Sequence, residues 1–103
     1  MKEIEISLPQ GADFARVSRI IEETIVANGL QITLKAALGK YPGSTHWHIK
    51  NGKHKGILEI TLWPKHSRSW FSIQAGRKAR WIQPKISLLQ KQFKRAFEGS
   101  RAE

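Results

Sequence analysis

Hydrophobic and polar positions along this chain switch between a period of two and a period near 3.6, and turn residues mark most of the switches. Ile4, Ile6 and Leu8 alternate with Glu3, Glu5 and Ser7, which predicts a half-buried strand closed by Pro9 and the Gln10-Gly11 turn. Asp13 then caps a helix whose apolar stripe is Phe14, Val17, Ile20, Ile21 and Ile25, with Asn28-Gly29 as its stop signal. Leu30, Ile32, Leu34 and Ala36 alternate with Gln31, Thr33 and Lys35 as a second strand, and Pro42-Gly43 makes a turn. Three more strands are expected near Thr45 to Lys50, Ile57 to Trp63 and Ser69 to Gln74, joined by the Asn51-Gly52 loop and the Pro64 to Arg68 loop. After the Gly76 loop, Pro84 stands in the first turn of a final helix with Ile86, Leu89, Phe93 and Phe97 on one face.

The order β-α-β-β-β-β-α, with both helices amphipathic and every strand apolar on one face, predicts an α+β two-layer sandwich. Residues 1–103 are expected to form a single domain, a five-stranded mostly antiparallel sheet carrying two helices on one face. The first strand, helix and second strand read as a right-handed parallel crossover, and the remaining strands as an antiparallel meander. Placing Lys50 opposite Ile57 pairs Trp47 with Ile60 and Ile49 with Leu58 on the core side, and His48 with Glu59 and His46 with Thr61 outside. In the next hairpin, pairing Leu62 with Phe71 and Ile60 with Ile73 sets Trp63 beside Trp70 and Thr61 beside Ser72. The helix-free face would then be open and carry His46, His48, Thr61, Ser72, Gln31, Thr33 and the Trp63-Trp70 pair.

Composition agrees with a small folded globule: 40% of residues are hydrophobic, and four are Trp. The absence of Cys excludes disulfides, thiolate metal sites and Cys nucleophiles. The opening Met-Lys-Glu-Ile-Glu-Ile has charge where a signal peptide needs an apolar core, and no apolar run approaches membrane-spanning length. The expectation is a soluble cytoplasmic protein with no membrane partner.

Charge narrows the function. Up to Leu34, Lys2, Arg16 and Arg19 face Glu3, Glu5, Asp13, Glu22 and Glu23, a net of −2. The rest of the chain carries fifteen Lys and Arg against Glu59, Glu98 and Glu103, a net of +12. Such asymmetry points to a polyanionic partner. Strand direction brings the loop with Lys50, Lys53, His54 and Lys55 to the same end of the sheet as the loop with Arg77, Lys78 and Arg80, the two starting about 10 Å apart. Lys91, Lys94 and Arg95 extend this rim along the polar side of the final helix, where Leu88 also falls. Rim and helix would hold phosphates while Trp63, Trp70, His46 and His48 stack on or hydrogen-bond to bases, as binding to single strands requires.

No helix-turn-helix, zinc-finger, Gly-X-X-Gly or RNP signature is present, so the expected partner is nucleic acid bound single-stranded or with weak specificity. The alternative is a protein interaction module or homodimer built on the Trp63/Trp70 face, with the basic rim serving an acidic protein; monomer and homodimer are both compatible with the sequence. His46, His48 and Glu59 have the ligand types for a divalent metal, but two residues on one strand and one on its neighbour do not make a closed shell. They read as a surface row hydrogen-bonded among themselves, with no metal or cofactor. A His48-Glu59 dyad with Ser72 two strands away is equally expected on any polar sheet face. No phosphate loop or nucleophile elbow is present, so no catalytic residue is assigned and a non-enzymatic role is expected.

Overall fold

Asp13 starts the first helix by accepting hydrogen bonds from the backbone N–H groups of Ala15 (3.1 Å) and Arg16 (3.3 Å). The helix α1 (Phe14–Ala27) ends where Gly29 adopts φ +74°, with Gly29 N–H bonded to Val26 O and Leu30 N–H to Ile25 O. That pair of bonds is a Schellman cap, and both Leu30 and Ile25 are buried in the core. The computed structural model describes residues 2–99. Around α1 lie β1 (Lys2–Ile6), β2 (Gln31–Ala36), β3 (Thr45–Lys50), β4 (Leu58–Trp63), β5 (Arg68–Ile73) and a long final helix α2 (Ile82–Gly99). The protein is an α+β fold, a five-stranded antiparallel sheet with both helices packed on one face.

That face supplies the core. Trp47 and Ile49 of β3, Leu58, Ile60 and Leu62 of β4, and Phe71 and Ile73 of β5 meet Val17, Ile21 and Ile25 of α1. Ile82, Ile86, Leu89, Phe93 and Phe97 complete it from α2, with Phe93 stacked between Phe71 (6.0 Å) and Phe97 (5.8 Å). Between the helices, Asn28 Nδ2 donates to Gln92 Oε1 at 2.7 Å. No described helix is long and apolar enough to cross a membrane.

The strand order is β1-β5-β4-β3-β2, so the crossover does not set β1 beside β2. The two run in the same direction but at opposite edges. The meander β2 to β5 is contiguous because its connections are short, which leaves β1 two free edges. Beside β2 it would be a parallel neighbour; beside β5 it is antiparallel, the slightly more stable pairing per residue. Arg68 and Glu5, ion-paired at 2.8 Å, join β5 to β1.

The register between β3 and β4 is the expected one, Trp47 opposite Ile60 and His48 opposite Glu59. Between β4 and β5 it is displaced by two residues: Ile60 faces Phe71, Thr61 faces Trp70 and Trp63 faces Arg68. The reason is a tight connection, a single 3-10 turn over Pro64–His66 followed by Ser67 in the left-handed region at φ 50°. β2 departs as well. A bulge between Ile32 and Leu34 turns Leu34 and Ala36 to the side of His48 and His46, and pairs Lys35 with Trp47. Leu34 and Ala36 are therefore exposed rather than core, and Lys35 Nζ meets Glu22 of α1 at 2.6 Å.

Candidate functional site

The two basic loops at the β3/β4 and β5/α2 end of the sheet dock on each other. Ile57 N–H donates to Arg77 O at 3.0 Å, and Trp81 Nε1 donates to Lys55 O at 2.7 Å. Gly56 sits at the closest approach, with φ +101° and no room for a side chain: a Cβ would stand 2.5 Å from that of Ala79. Lys53, Lys55, Arg77, Lys78 and Arg80 are all exposed on this joined rim, and Lys50 is half-buried beneath it at the end of β3. Lys2 joins them from β1, lining with Lys78 and Arg80 a recess of about 600 Å³ beside the start of α2. Sequence reasoning missed Lys2 because the edge taken by β1 has no local signal. It also missed Trp81, half-buried in the rim, although the Arg80-Trp81 step sits next to the cations it had identified.

Lys91, Lys94 and Arg95 are exposed on α2 but do not extend the rim. Lys91 lies nine residues beyond Ile82, about 14 Å along the helix. Lys94 lines a recess with Glu5, Ser7 and Gln90, at the end of β1 remote from Lys2.

The helix-free face of the sheet is not the open aromatic platform expected. The segment between β2 and β3 folds over it, and Tyr41 packs edge-on against Trp63 (4.9 Å) and Trp70 (5.1 Å). Trp63 Nε1 donates to Pro42 O at 3.0 Å, fastening that segment down. Arg68 lies over Trp70 at 4.6 Å and is held by Glu5, whose carboxylate raises the guanidinium pKa further. Trp70 is consequently 3% exposed and His46 7%, so neither presents a face to a partner. Gln31 is engaged too, its Oε1 accepting from Gly52 N–H at 2.6 Å.

What remains is a groove of about 620 Å³ in which His46, His48, Glu59, Thr61 and Ser72 share the lining with Leu34, Leu38, Lys40, Tyr41 and Arg77. Glu59 is buried at 3% exposure. Its Oε1 lies 3.1 Å from His46 Nε2, and its Oε2 lies 3.9 Å from His48 Nε2 and 3.4 Å from Arg77 Nη1. His46 Nδ1 is 2.7 Å from Thr61 Oγ1, so the ring is held at both nitrogens. Burial lowers the His46 pKa, and the attraction of Glu59 only partly opposes it, which favours the neutral imidazole. The sequence pattern places these residues together, as a surface row; the structure buries His46 and Glu59 and leaves His48 half-buried beside them. His54 and His66 are exposed in loops, His66 lying tilted against Trp63 with ring centroids 4.1 Å apart. Comparison with protein families, with curated proteins and with solved structures finds no match to this chain.

Proposed function

We propose that this protein binds nucleic acid with weak sequence preference, through phosphate contacts made by Lys2, Lys53, Lys55, Lys78 and Arg80. The observation that carries the reading is the docking of two basic loops through the Ile57-Arg77 and Trp81-Lys55 hydrogen bonds. The loop residues 50–57 and 74–81 contain no acid, so like charges are held together at one end of the sheet. Such a concentration costs stability through self-repulsion and is relieved by a polyanion, which also releases counterions on binding. Trp81 is the aromatic placed within that rim, whereas Trp70 and His46 are covered and contribute nothing to contact with bases. A protein interface on the Trp63/Trp70 face is the weaker reading, because Tyr41 already occupies that face.

The test is a titration of labelled single-stranded and duplex oligonucleotides over a range of salt. With about five phosphates neutralised, log K falls against log salt with a slope near −3.5 for single strands and −4.5 for duplex DNA. No binding at low salt, or binding indifferent to salt, would refute the proposal.

A further inference from the structure

The strongest chemistry outside the rim is the His46-His48-Glu59 cluster in the groove on the helix-free face. One ligand-type nitrogen from each of His46 and His48 and a carboxylate oxygen of Glu59 all lie within 4.8 Å of one another. Two imidazoles and one carboxylate on adjacent strands form the donor set of three-ligand divalent sites that keep open positions. At zinc–ligand bonds of about 2.0–2.1 Å, tetrahedral donors stand about 3.3–3.4 Å apart. His46 Nε2 stands 3.1 Å from Glu59 Oε1 and His48 Nε2 3.9 Å from Glu59 Oε2, so each imidazole faces one carboxylate oxygen within a few tenths of an ångström of that spacing, and side-chain rotation brings the three donors around one ion. Strand pairing fixes the cluster: His48 is directly opposite Glu59, and His46 is next along the same face of β3.

We propose that His46, His48 and Glu59 bind a divalent transition metal of the zinc–cobalt class, with the remaining coordination positions facing the groove. Three further observations support this assignment. Thr61 Oγ1, 2.7 Å from His46 Nδ1, can accept a proton as readily as donate one, so it supports the ring when Nε2 takes the metal. Glu59 is a carboxylate buried at 3% exposure on the sheet face that the helices do not cover, where a hydrophobic side chain of similar size would pack without charge burial. The groove above leaves room for water or an anionic ligand on the metal, with Lys40 and Arg77 in its lining. Arg77 touches Glu59 Oε2 from an exposed loop and competes with the metal for that carboxylate.

Isothermal titration of the metal-stripped full chain with Zn²⁺ tests the site, followed by Co²⁺ substitution read by visible absorption. The expected result is one saturable site, weakened tenfold or more in His48→Ala and Glu59→Gln, unchanged in His54→Ala and His66→Ala, and strengthened in Arg77→Gln. His48 is only half-buried on the helix-free face, so His48→Ala retains the fold, checked by circular dichroism. A readout free of substitutions is the ¹⁵N spectrum of the imidazoles, in which zinc moves the His46 proton to Nδ1. No saturable binding, a site lost with His54 or His66, or unchanged His46 and His48 spectra would overturn the proposal. Oligonucleotide binding by the metal-free protein is measured separately, so the rim and the metal site succeed or fail independently.

Discussion

Trp47 Nε1 donates to Glu22 Oε2 at 2.9 Å across the seam between β3 and α1. Trp47 is fully buried, and an indole N–H taken out of water without a partner costs about 1–3 kcal/mol. Glu22→Ala should therefore destabilise the fold by about that amount in urea unfolding. Glu22→Gln should cost less, since the amide oxygen still accepts. Equal losses in both variants would show that charge, not the indole bond, is what matters.

Glu22 also sets an acid limit on stability. Burial raises its pKa, but bonds from Lys35 and Trp47, together with the charge of Lys35, outweigh burial and hold the folded carboxyl below its ordinary 4.5. The folded state thus prefers the carboxylate, and its contribution is present above about pH 4.5 and is lost as pH falls through the folded value. The stability difference between the native chain and Glu22→Gln should be constant near neutrality and shrink below that pH. A difference that grows on acidification would reverse the sign of this coupling.

Alternation of side chains reveals which face each residue takes, and so Trp47, Ile60 and Phe71 were legible as core and His48 and Glu59 as partners. A displacement of two residues leaves every face unchanged, so the register between β4 and β5 was not legible from alternation. It depended on the 3-10 turn at Pro64 and on Ser67 at positive φ. The bulge in β2 broke parity at Leu34, a residue whose apolar side chain gave no warning. Tyr41 was invisible as a cover because its contacts to Trp63 and Trp70 join a loop to the sheet across more than twenty positions. The basic rim was legible because strand direction alone decides at which end a loop emerges.

Trp63 and Trp70 should behave as structural residues. Trp70→Ala leaves a void beneath Tyr41 and Arg68 and should cost about 3–5 kcal/mol, as loss of a buried aromatic does. Trp63→Ala should cost less, since Trp63 is only partly buried, while releasing the hydrogen bond to Pro42 O. Neither should change oligonucleotide affinity in conditions where the variant is folded, as measured by anisotropy. A selective loss of single-strand binding in folded Trp63→Ala would return the sheet face to the interface.

Charge reversal separates rim from helix. Lys55, Lys78 and Arg80 replaced together by Glu leave the Arg77-Glu59 ion pair intact and should weaken oligonucleotide binding by an order of magnitude or more. The single-strand salt slope should become shallower by about 0.7 for each phosphate that the variant no longer neutralises. Lys91, Lys94 and Arg95 replaced in the same way should have a much smaller effect, because α2 carries them away from the rim. Comparable weakening in both variants would mean that net charge, rather than its placement, drives binding.

Gly56 tests whether loop docking creates the interface. Its φ of +101° is a conformation that side chains bearing a Cβ rarely adopt, and an added Cβ would meet Ala79 Cβ at 2.5 Å, Arg77 O at 3.1 Å and Ile82 Cδ1 at 3.3 Å. Gly56→Ala must push the loops apart, straining the Ile57-Arg77 and Trp81-Lys55 bonds that tie Lys53 and Lys55 to Lys78 and Arg80. Strained backbone of this kind costs about 1–3 kcal/mol. Gly52 is the control: its φ is also positive, at +58°, but a Cβ there meets nothing within 4 Å. Gly52→Ala should therefore lose some stability and retain binding, whereas Gly56→Ala should lose several-fold affinity for oligonucleotides with no charge altered. Native affinity in a folded Gly56→Ala protein would mean that the cations act separately and that their joining at the rim is incidental.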